Sequence, residues 1–377
     1  MKLNGTIKLF ADAHVFDNEY QGSRTFIKEL YNCLLKKNDL QLYIAAYDID
    51  NLKQYFPQAA NIVFLKYKYR NSVARLLFDI PMLIKKHQID YAHFQYITPV
   101  TKNCRFIVTT HDVLFNDFPG EFSFLFRKTK NYLYRAAARK ADILTTVSAF
   151  SKNAIQRYFS IPPQNITVLP HGVNTVFFEP NHKEQAKEYI LRQYGIEKCI
   201  LFVSRFEPRK NHLVLLKAFL DLELFAQGYH LVFIGHKSME TPAVDLLLNN
   251  LPENIRKYIL LVDKITDEEL CRFYKAASVF VYPSKAEGFG MPPLEAGALQ
   301  IPVLCSNATA LGDFTFFGDN LIDISNYNHF KQKLSGIING NTSNNALSTI
   351  AATIQQNYCW QKTADQFYQL LKQNSMS

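Results

Sequence analysis

The sequence predicts an α/β protein built as two Rossmann-like domains, each a parallel sheet covered by helices. Three observations carry this. A chain of 377 residues is too long for one ordinary core. Short apolar runs rich in β-branched and aromatic residues recur along it, apolar on both faces, as in parallel strands covered on both sides. Amphipathic segments of helical period alternate with these runs, which places the strands in parallel sheets.

Seven runs fill the first half: "IKLFADA", "QLYIAAY", "NIVFLKY", "DYAHFQY", "FIVTTHD", "DILTTVS" and "ITVLPHG". At least five follow: "KCILFVSRF", "YHLVFIG", "YILLVDK", "SVFVYPS" and "IPVLCSN". Among the helical segments, "SRTFIKELYNCLLKK" sets Phe26, Leu30 and Leu34 on one stripe. "SVARLLFDIPMLIKKH" has the same period, and Pro81 should kink or split it. "TDEELCRFYKAA" opens on a capping box of Thr266 and Glu269. The polar stretch around "VNTVFFEPNHKEQ" marks the domain break. The expected domains are residues 1–175 and 176–355, with a closing helix over 356–377 that packs back on the first domain.

Composition narrows the function classes. Hydrophobic residues make up 48% and charged residues 20%, the balance of a folded protein. The net charge of +9 admits nucleic acid, an anionic membrane surface or an anionic small substrate. The basic residues are scattered in short clusters, which argues against nucleic acid and leaves peripheral contact with anionic lipid open. Six cysteines without CxxC spacing read as free thiols in a reducing compartment. The opening residues lack a signal-peptide pattern and no apolar run spans a bilayer, so a cytoplasmic protein is expected, at most peripheral at the inner membrane face.

The chemistry concentrates in "SKAEGFGMPPLEAGALQIPVLCSN". The strand "SVFVYPS" ends in a glycine-bearing loop, and a helix with prolines in its first turn follows. In an open α/β sheet, ligands bind beyond the carboxyl ends of strands. Gly288 and Gly290 allow close backbone approach, and the helix N-terminus offers N–H groups and partial positive charge to a phosphate. Glu287 and Glu295 are acceptors, suited to hydroxyls. Phosphate plus hydroxyls suggests a nucleotide sugar; a tight loop with two surface glutamates is the plain alternative. In "SRFEPRKN", Arg205 and Lys210 follow another strand of the same half and suit a diphosphate; a solvated turn is the alternative there. The "DID" at Asp48–Asp50 is read as helix capping, and no His/Cys cluster has metal-ligand spacing. No full GxGxxG follows the first strand.

Taken together, "SRFEPRKN" and "EGFGMPPLE" resemble glycosyltransferase family 4, the retaining GT-B enzymes, whose E-x7-E signature matches Glu287 and Glu295. The resemblance extends to "DAHVFDNEYQGSRTFIKELY", "TTHDVLFNDFP", "ADILTTVSAFSKNAI" and "VLPHGVN", nearly the whole chain. It implies a GT-B fold, with the two domains facing a central cleft. It implies that Arg205 and Lys210 bind the donor diphosphate and stabilise the leaving group in place of a metal. Glu295 would hold ribose hydroxyls and Glu287 would contact the donor sugar at the reacting face. Gly288, Phe289, Gly290 and Met291 would present backbone N–H groups. His111 would stand near the donor sugar, Gly22 would let the acceptor-side loop approach the diphosphate, and the HGVN turn would lie near the cleft. One departure is that "ATALGDFTFFGDN" lacks the Pro–Glu pair that the family often carries, so no base or ribose contact is assigned to that loop.

The implied reaction is metal-independent, retaining transfer of a hexose, with a lean to mannose, from a GDP- or UDP-sugar. No cofactor is required. The acceptor would be a glycan or lipid-linked sugar in cell-surface polysaccharide or glycolipid synthesis. Two rivals stay open: a non-catalytic nucleotide-sugar-binding protein of the same fold, and an NAD-dependent oxidoreductase.

Overall fold

A computed structural model of the chain describes residues 5–17, 22–179, 182–340 and 342–375. Contacts divide the chain into two units, residues 1–172 with 358–377, and residues 173–357.

The first unit holds β1 (Ile7–Asp12), β2 (Leu40–Ala46), β3 (Ile62–Lys66), β4 (Tyr91–Gln95), β5 (Arg105–Thr109), β6 (Ile143–Thr146) and β7 (Ile166–Val168). They pair in parallel in the order β3-β2-β1-β4-β5-β6-β7. The order reverses between β1 and β4, which makes the carboxyl ends of those strands the natural binding edge. The helix Gly22–Leu34 buries Phe26, Leu30 and Leu34, the stripe read from the sequence. Pro81 does not split its helix. The chain passes from a helical turn at Ser72–Ala74 through a π-helical turn, Arg75–Asp79, into Ile80–His87 with αR geometry throughout. The wider turn accommodates a proline that lacks the N–H and crowds the preceding carbonyls. Phe106 and Val108, two apart on β5, share one face of the sheet. Phe106 packs with Ile80, Leu83 and Ile84, and Val108 with Ala137 and Ala138 of the helix Phe124–Lys140. Both helices therefore cover the same face.

The helix Trp360–Ser375 belongs to this unit. Thr363 Oγ1 donates to the Pro170 carbonyl at 2.7 Å, Tyr368 OH to Asp39 at 2.6 Å, and Tyr91 OH to the Leu371 carbonyl at 3.1 Å. Gly172 is required beneath it: a Cβ there would stand 2.2 Å from the Trp360 backbone nitrogen.

The second unit holds β8 (Lys198–Val203), β9 (Tyr229–Ile234), β10 (Ile259–Val262), β11 (Ala277–Tyr282), β12 (Val303–Ser306) and β13 (Leu321–Ile322). The order is β10-β9-β8-β11-β12-β13, again all parallel. β13 has two residues, too few for hydrophobic periodicity to register. The capping box on the helix Asp267–Ala276 forms by half. Thr266 Oγ1 accepts from the Glu269 N–H at 3.2 Å, while the Glu269 carboxylate takes the Tyr194 hydroxyl instead of reaching back.

Candidate functional site

In the second sheet the strand order reverses between β8 and β11. The segment after β8 carries Arg205 and Lys210, and the segment after β11 carries Glu287, so the fold brings both to one edge. A 3₁₀ turn, Pro208–Lys210, followed by Asn211 at a φ of 60°, sends Lys210 inward. Its ammonium lies 2.5 Å from Glu287 Oε1 and 3.2 Å from the Tyr282 hydroxyl. Arg209, which the sequence reading passed over, completes the arrangement. It donates to the Ala286 carbonyl at 2.7 Å, reaches Glu287 at 3.2 Å and pairs with Glu207 at 2.7 Å. Glu207 also holds Arg205 at 3.0 Å and accepts from Ser238.

Three cations and two carboxylates thus share one site. Burial pushes the Glu287 carboxyl up, but Lys210 and Arg209 outweigh it and hold it at about 2. Burial lowers the Lys210 ammonium, an effect that Glu287 opposes. Glu287 is ionised and buried, Lys210 is buried beside it, and Arg205 is the cation left largely exposed.

The loop behind the site is buttressed by a residue with no sequence signal of its own. Thr309 Oγ1 accepts from the Glu287 N–H at 2.8 Å, and the Ala310 N–H donates to the Glu287 carbonyl at 3.3 Å. This is the segment that lacks the Pro–Glu pair, and it grips the backbone of the first signature glutamate. Gly290 stands at a φ of 112°, where a Cβ would collide with Leu311 at 2.4 Å. It caps the helix Met291–Ala298 without a side-chain hydrogen bond. Pro292 and Pro293 carry no N–H, so the donors that this helix start can present are those of Gly290 and Met291. The buried Phe289 ring meets Phe314 edge-on, and Phe289 and Gly288 complete the loop.

The two signature glutamates do not share a partner. Glu295 accepts from the Tyr274 hydroxyl at 2.8 Å, on a helix that the sequence reading left out of the site. Its carboxyl is pushed up to about 7, chiefly by burial, with the Tyr274 hydrogen bond opposing. Near neutral pH it changes charge, whereas Glu287 does not.

The remaining candidates lie in the first unit. His111 follows β5 and is buried. Its Nε2 meets Gln95 Oε1, and its Nδ1 is 3.4 Å from His171 Nε2. His93 Nε2 lies 3.2 Å from the Gln95 amide and 2.7 Å from Thr109 Oγ1, and its Nδ1 is 3.1 Å from the Tyr31 hydroxyl. Burial holds His93 and His111 at about 3. His111 is therefore a neutral hydrogen-bonding group rather than a general acid. At the end of β1, Asp12 accepts from the Tyr67 hydroxyl at 2.9 Å and pairs with His14 at 3.0 Å and Arg75 at 3.7 Å. That cluster on the binding edge was also missed, since its members are far apart in sequence. Gly22 starts its helix, exposed, with open space where a Cβ would stand; the glycine loop before it, residues 18–21, lies outside the described residues. Asp112 accepts from the Leu114 N–H, and Asp48 caps its helix through the Asn51 N–H. Among the described residues, no group of three or more His, Cys, Asp or Glu could hold a metal ion, and no helix is long and apolar enough to cross a membrane.

Comparison with known proteins bears on both units. Residues 20–177 match the sequence model of glycosyltransferase family 4, and residues 183–353 that of the glycosyl transferases group 1. O-antigen chain mannosyltransferase B of Escherichia coli is 33% identical over 173 residues, 45% of each chain, so the match spans less than half of that relative. The structure superposes on sucrose-phosphate synthase from Thermosynechococcus elongatus with a TM-score of 0.80 at 17% identity, covering 99% of this chain and 100% of that one. It superposes on HepE from Anabaena, solved in complex with UDP, with a TM-score of 0.73 at 15% identity, covering 98% and 100%. These likenesses show the fold.

Proposed function

We propose a transfer reaction for this chain, which belongs to glycosyltransferase family 4, of the group 1 type, and has the GT-B fold. The reaction moves a hexosyl group from a nucleoside-diphosphate sugar to a glycan or lipid-linked acceptor in cell-surface polysaccharide or glycolipid assembly, with retention at the anomeric carbon. It needs no metal or cofactor. The mannosyltransferase relative favours mannose, and hence a GDP donor, over glucose from UDP.

The observation that carries this reading is the cluster at the β8–β11 edge, where Arg209 and Lys210 meet Glu287 on the loop that leads into the Gly290–Met291 helix start and Arg205 joins them through Glu207. Breaking the glycosidic bond leaves charge on the β-phosphate. Preorganised donors that meet charge as it develops are the strongest lever on such a step. Arg205 faces solvent and meets the diphosphate first; Lys210 lies deeper and stabilises the leaving oxygen. Glu287, anchored by Lys210 and Arg209, presents a carboxylate to the donor sugar. Glu295 takes the ribose hydroxyls. In the first unit, His111 serves as a neutral hydrogen-bonding group, and Gly22 belongs to the acceptor side.

The test is a thermal-shift panel of UDP, GDP, ADP, dTDP, their sugar conjugates and NAD, followed by turnover with the responding donor. A ligand at 100 times its Kd stabilises by about 2.7 kcal/mol. A shift with one nucleoside-diphosphate family and sugar transfer from it are expected. Response to NAD alone would favour an oxidoreductase, and binding without turnover would favour a non-catalytic sugar-nucleotide carrier.

A further inference from the structure

We propose that Thr309 is a positioning residue: its hydroxyl fixes the backbone of Glu287, so that the carboxylate keeps its place when a diphosphate draws on Lys210. Its effect on turnover rests on the transfer reading above. Thr309 follows β12 and opens the 3₁₀ turn Thr309–Asp313. Its φ is 55°, in the left-handed region. Glycine adopts that region without steric cost, whereas a Cβ there crowds the following carbonyl. A β-branched residue is therefore disfavoured at this φ, and such outliers persist where a side chain has a task and its surroundings hold it.

What threonine supplies here and glycine lacks is the hydroxyl. Oγ1 donates to the Ala308 carbonyl at 2.7 Å and accepts from the Glu287 N–H at 2.8 Å. A hydroxyl donates and accepts at once; a valine of the same shape does neither. The Ala310 N–H meets the Glu287 carbonyl at 3.3 Å, so both backbone polar groups of Glu287 are held from this segment. Leu311 packs where a Cβ on Gly290 would stand, and Phe314 meets Phe289 edge-on. Glu287 thus has two kinds of anchor. Its carboxylate is held by Lys210 at 2.5 Å, the Tyr282 hydroxyl at 2.9 Å and Arg209 at 3.2 Å. Its backbone is held by a neutral hydroxyl on another strand's loop. An entering anion competes for the cations and not for Thr309. As phosphate oxygens draw on Lys210, the backbone anchor keeps the carboxylate from following the ammonium.

The test compares Thr309→Gly, Thr309→Val and Thr309→Ser in the full chain. Thr309→Gly keeps this φ without strain and removes the hydroxyl, so its losses belong to the hydroxyl even if Thr309→Val folds poorly. Two readouts are taken: hydrogen–deuterium exchange of the segment 284–291 in the free protein, and steady-state kinetics with the donor that supports turnover. Thr309→Gly and Thr309→Val should exchange faster at that segment and lose about tenfold in kcat, the scale of one hydrogen bond. The KM for the donor should stay within about twofold. Thr309→Ser, which restores the hydroxyl, should recover most of both. The proposal is overturned if Thr309→Gly exchanges like the parent, if its loss lies wholly in KM, or if Thr309→Ser falls as far as Thr309→Gly. A parent that transfers no sugar would sink the transfer reading and the effect on turnover with it, while exchange in the free protein still decides whether the hydroxyl anchors Glu287.

Discussion

The Lys210 ammonium lies 2.5 Å from Glu287 Oε1, with both side chains buried, although 77 positions separate them. In the free site, the cation proposed to receive the leaving diphosphate is held by the carboxylate proposed to face the sugar. Arg209 holds the other carboxylate oxygen at 3.2 Å. A diphosphate entering at Arg205 would therefore draw on Lys210 while Arg209 keeps Glu287 in place.

Lys210→Ala is expected to lower kcat/KM by about 10²–10³, the usual cost of losing one preorganised donor to developing charge. Glu287→Gln keeps shape and most hydrogen bonds but removes the charge, and turnover should fall with donor affinity largely kept. Steady-state kinetics on both variants, checked for an intact unfolding transition, decides. Turnover within about twofold of the parent for Lys210→Ala would remove it from the phosphate site.

Glu295 gives the donor site a pH dependence that Glu287 does not. Its carboxyl sits at about 7, raised by burial, and only the ionised form offers both oxygens to ribose hydroxyls. Donor affinity should therefore weaken as pH falls from 8 to 6. Glu295→Gln should bind less tightly at pH 8 and show a flatter profile. Glu287, at about 2, stays ionised across this window and contributes no slope. Nucleoside-diphosphate titrations at several pH values check the sign. A parent profile as flat as that of the variant would place the ribose elsewhere.

The strands were legible because each is a continuous apolar run, and β13 was not because two residues carry no period. Arg205, Lys210, Glu287 and Glu295 were legible as residue types at strand ends. Their pairing was not, because the inward turn of Lys210 depends on the 3₁₀ geometry at Pro208–Lys210 and on Asn211 at positive φ. Arg209 and Glu207 sit inside the same quoted string, yet nothing in their spacing distinguishes a clamp from a solvated turn. Thr309, Tyr274 and Asp12 reach the sites from distant segments, a relationship that local pattern does not encode.

Gly172 illustrates the same limit from the backbone side. It belongs to the "HGVN" turn, where a glycine by itself suggests only freedom of φ. The structure gives another reason: the Trp360 backbone nitrogen would lie 2.2 Å from a Cβ. A backbone neighbour cannot swing aside, so Gly172→Ala must displace the start of the closing helix within the first unit. A loss of about 1–3 kcal/mol is expected. Trp360, the single tryptophan of the chain, should report it as a change in fluorescence before unfolding. A variant with the parent's spectrum and stability would mean that the helix start relaxes at little cost.

The buried histidines set the acid limit of the first unit. Burial holds His93 and His111 at about 3 and His171 well below its ordinary value, against roughly 6.5 in the unfolded chain. The unfolded state therefore binds more protons below pH 6.5. Stability from these groups is complete above that pH and is lost as pH falls toward 3, at about 1.4 kcal/mol per pH unit for each histidine. His93 makes hydrogen bonds to Tyr31, Thr109 and Gln95 that a glutamine can partly replace. His93→Gln should therefore lower stability at pH 7 yet flatten its decline between pH 6 and 4 by about one histidine's slope. Trp360 packs against Phe26 and His171, so its fluorescence follows unfolding of this unit. Denaturant titrations read at that wavelength, at pH 7, 5.5 and 4.5, give both slopes. Equal slopes in parent and variant would mean that His93 takes up its proton without unfolding the unit, and that the histidine chain is open to solvent protons in the native state.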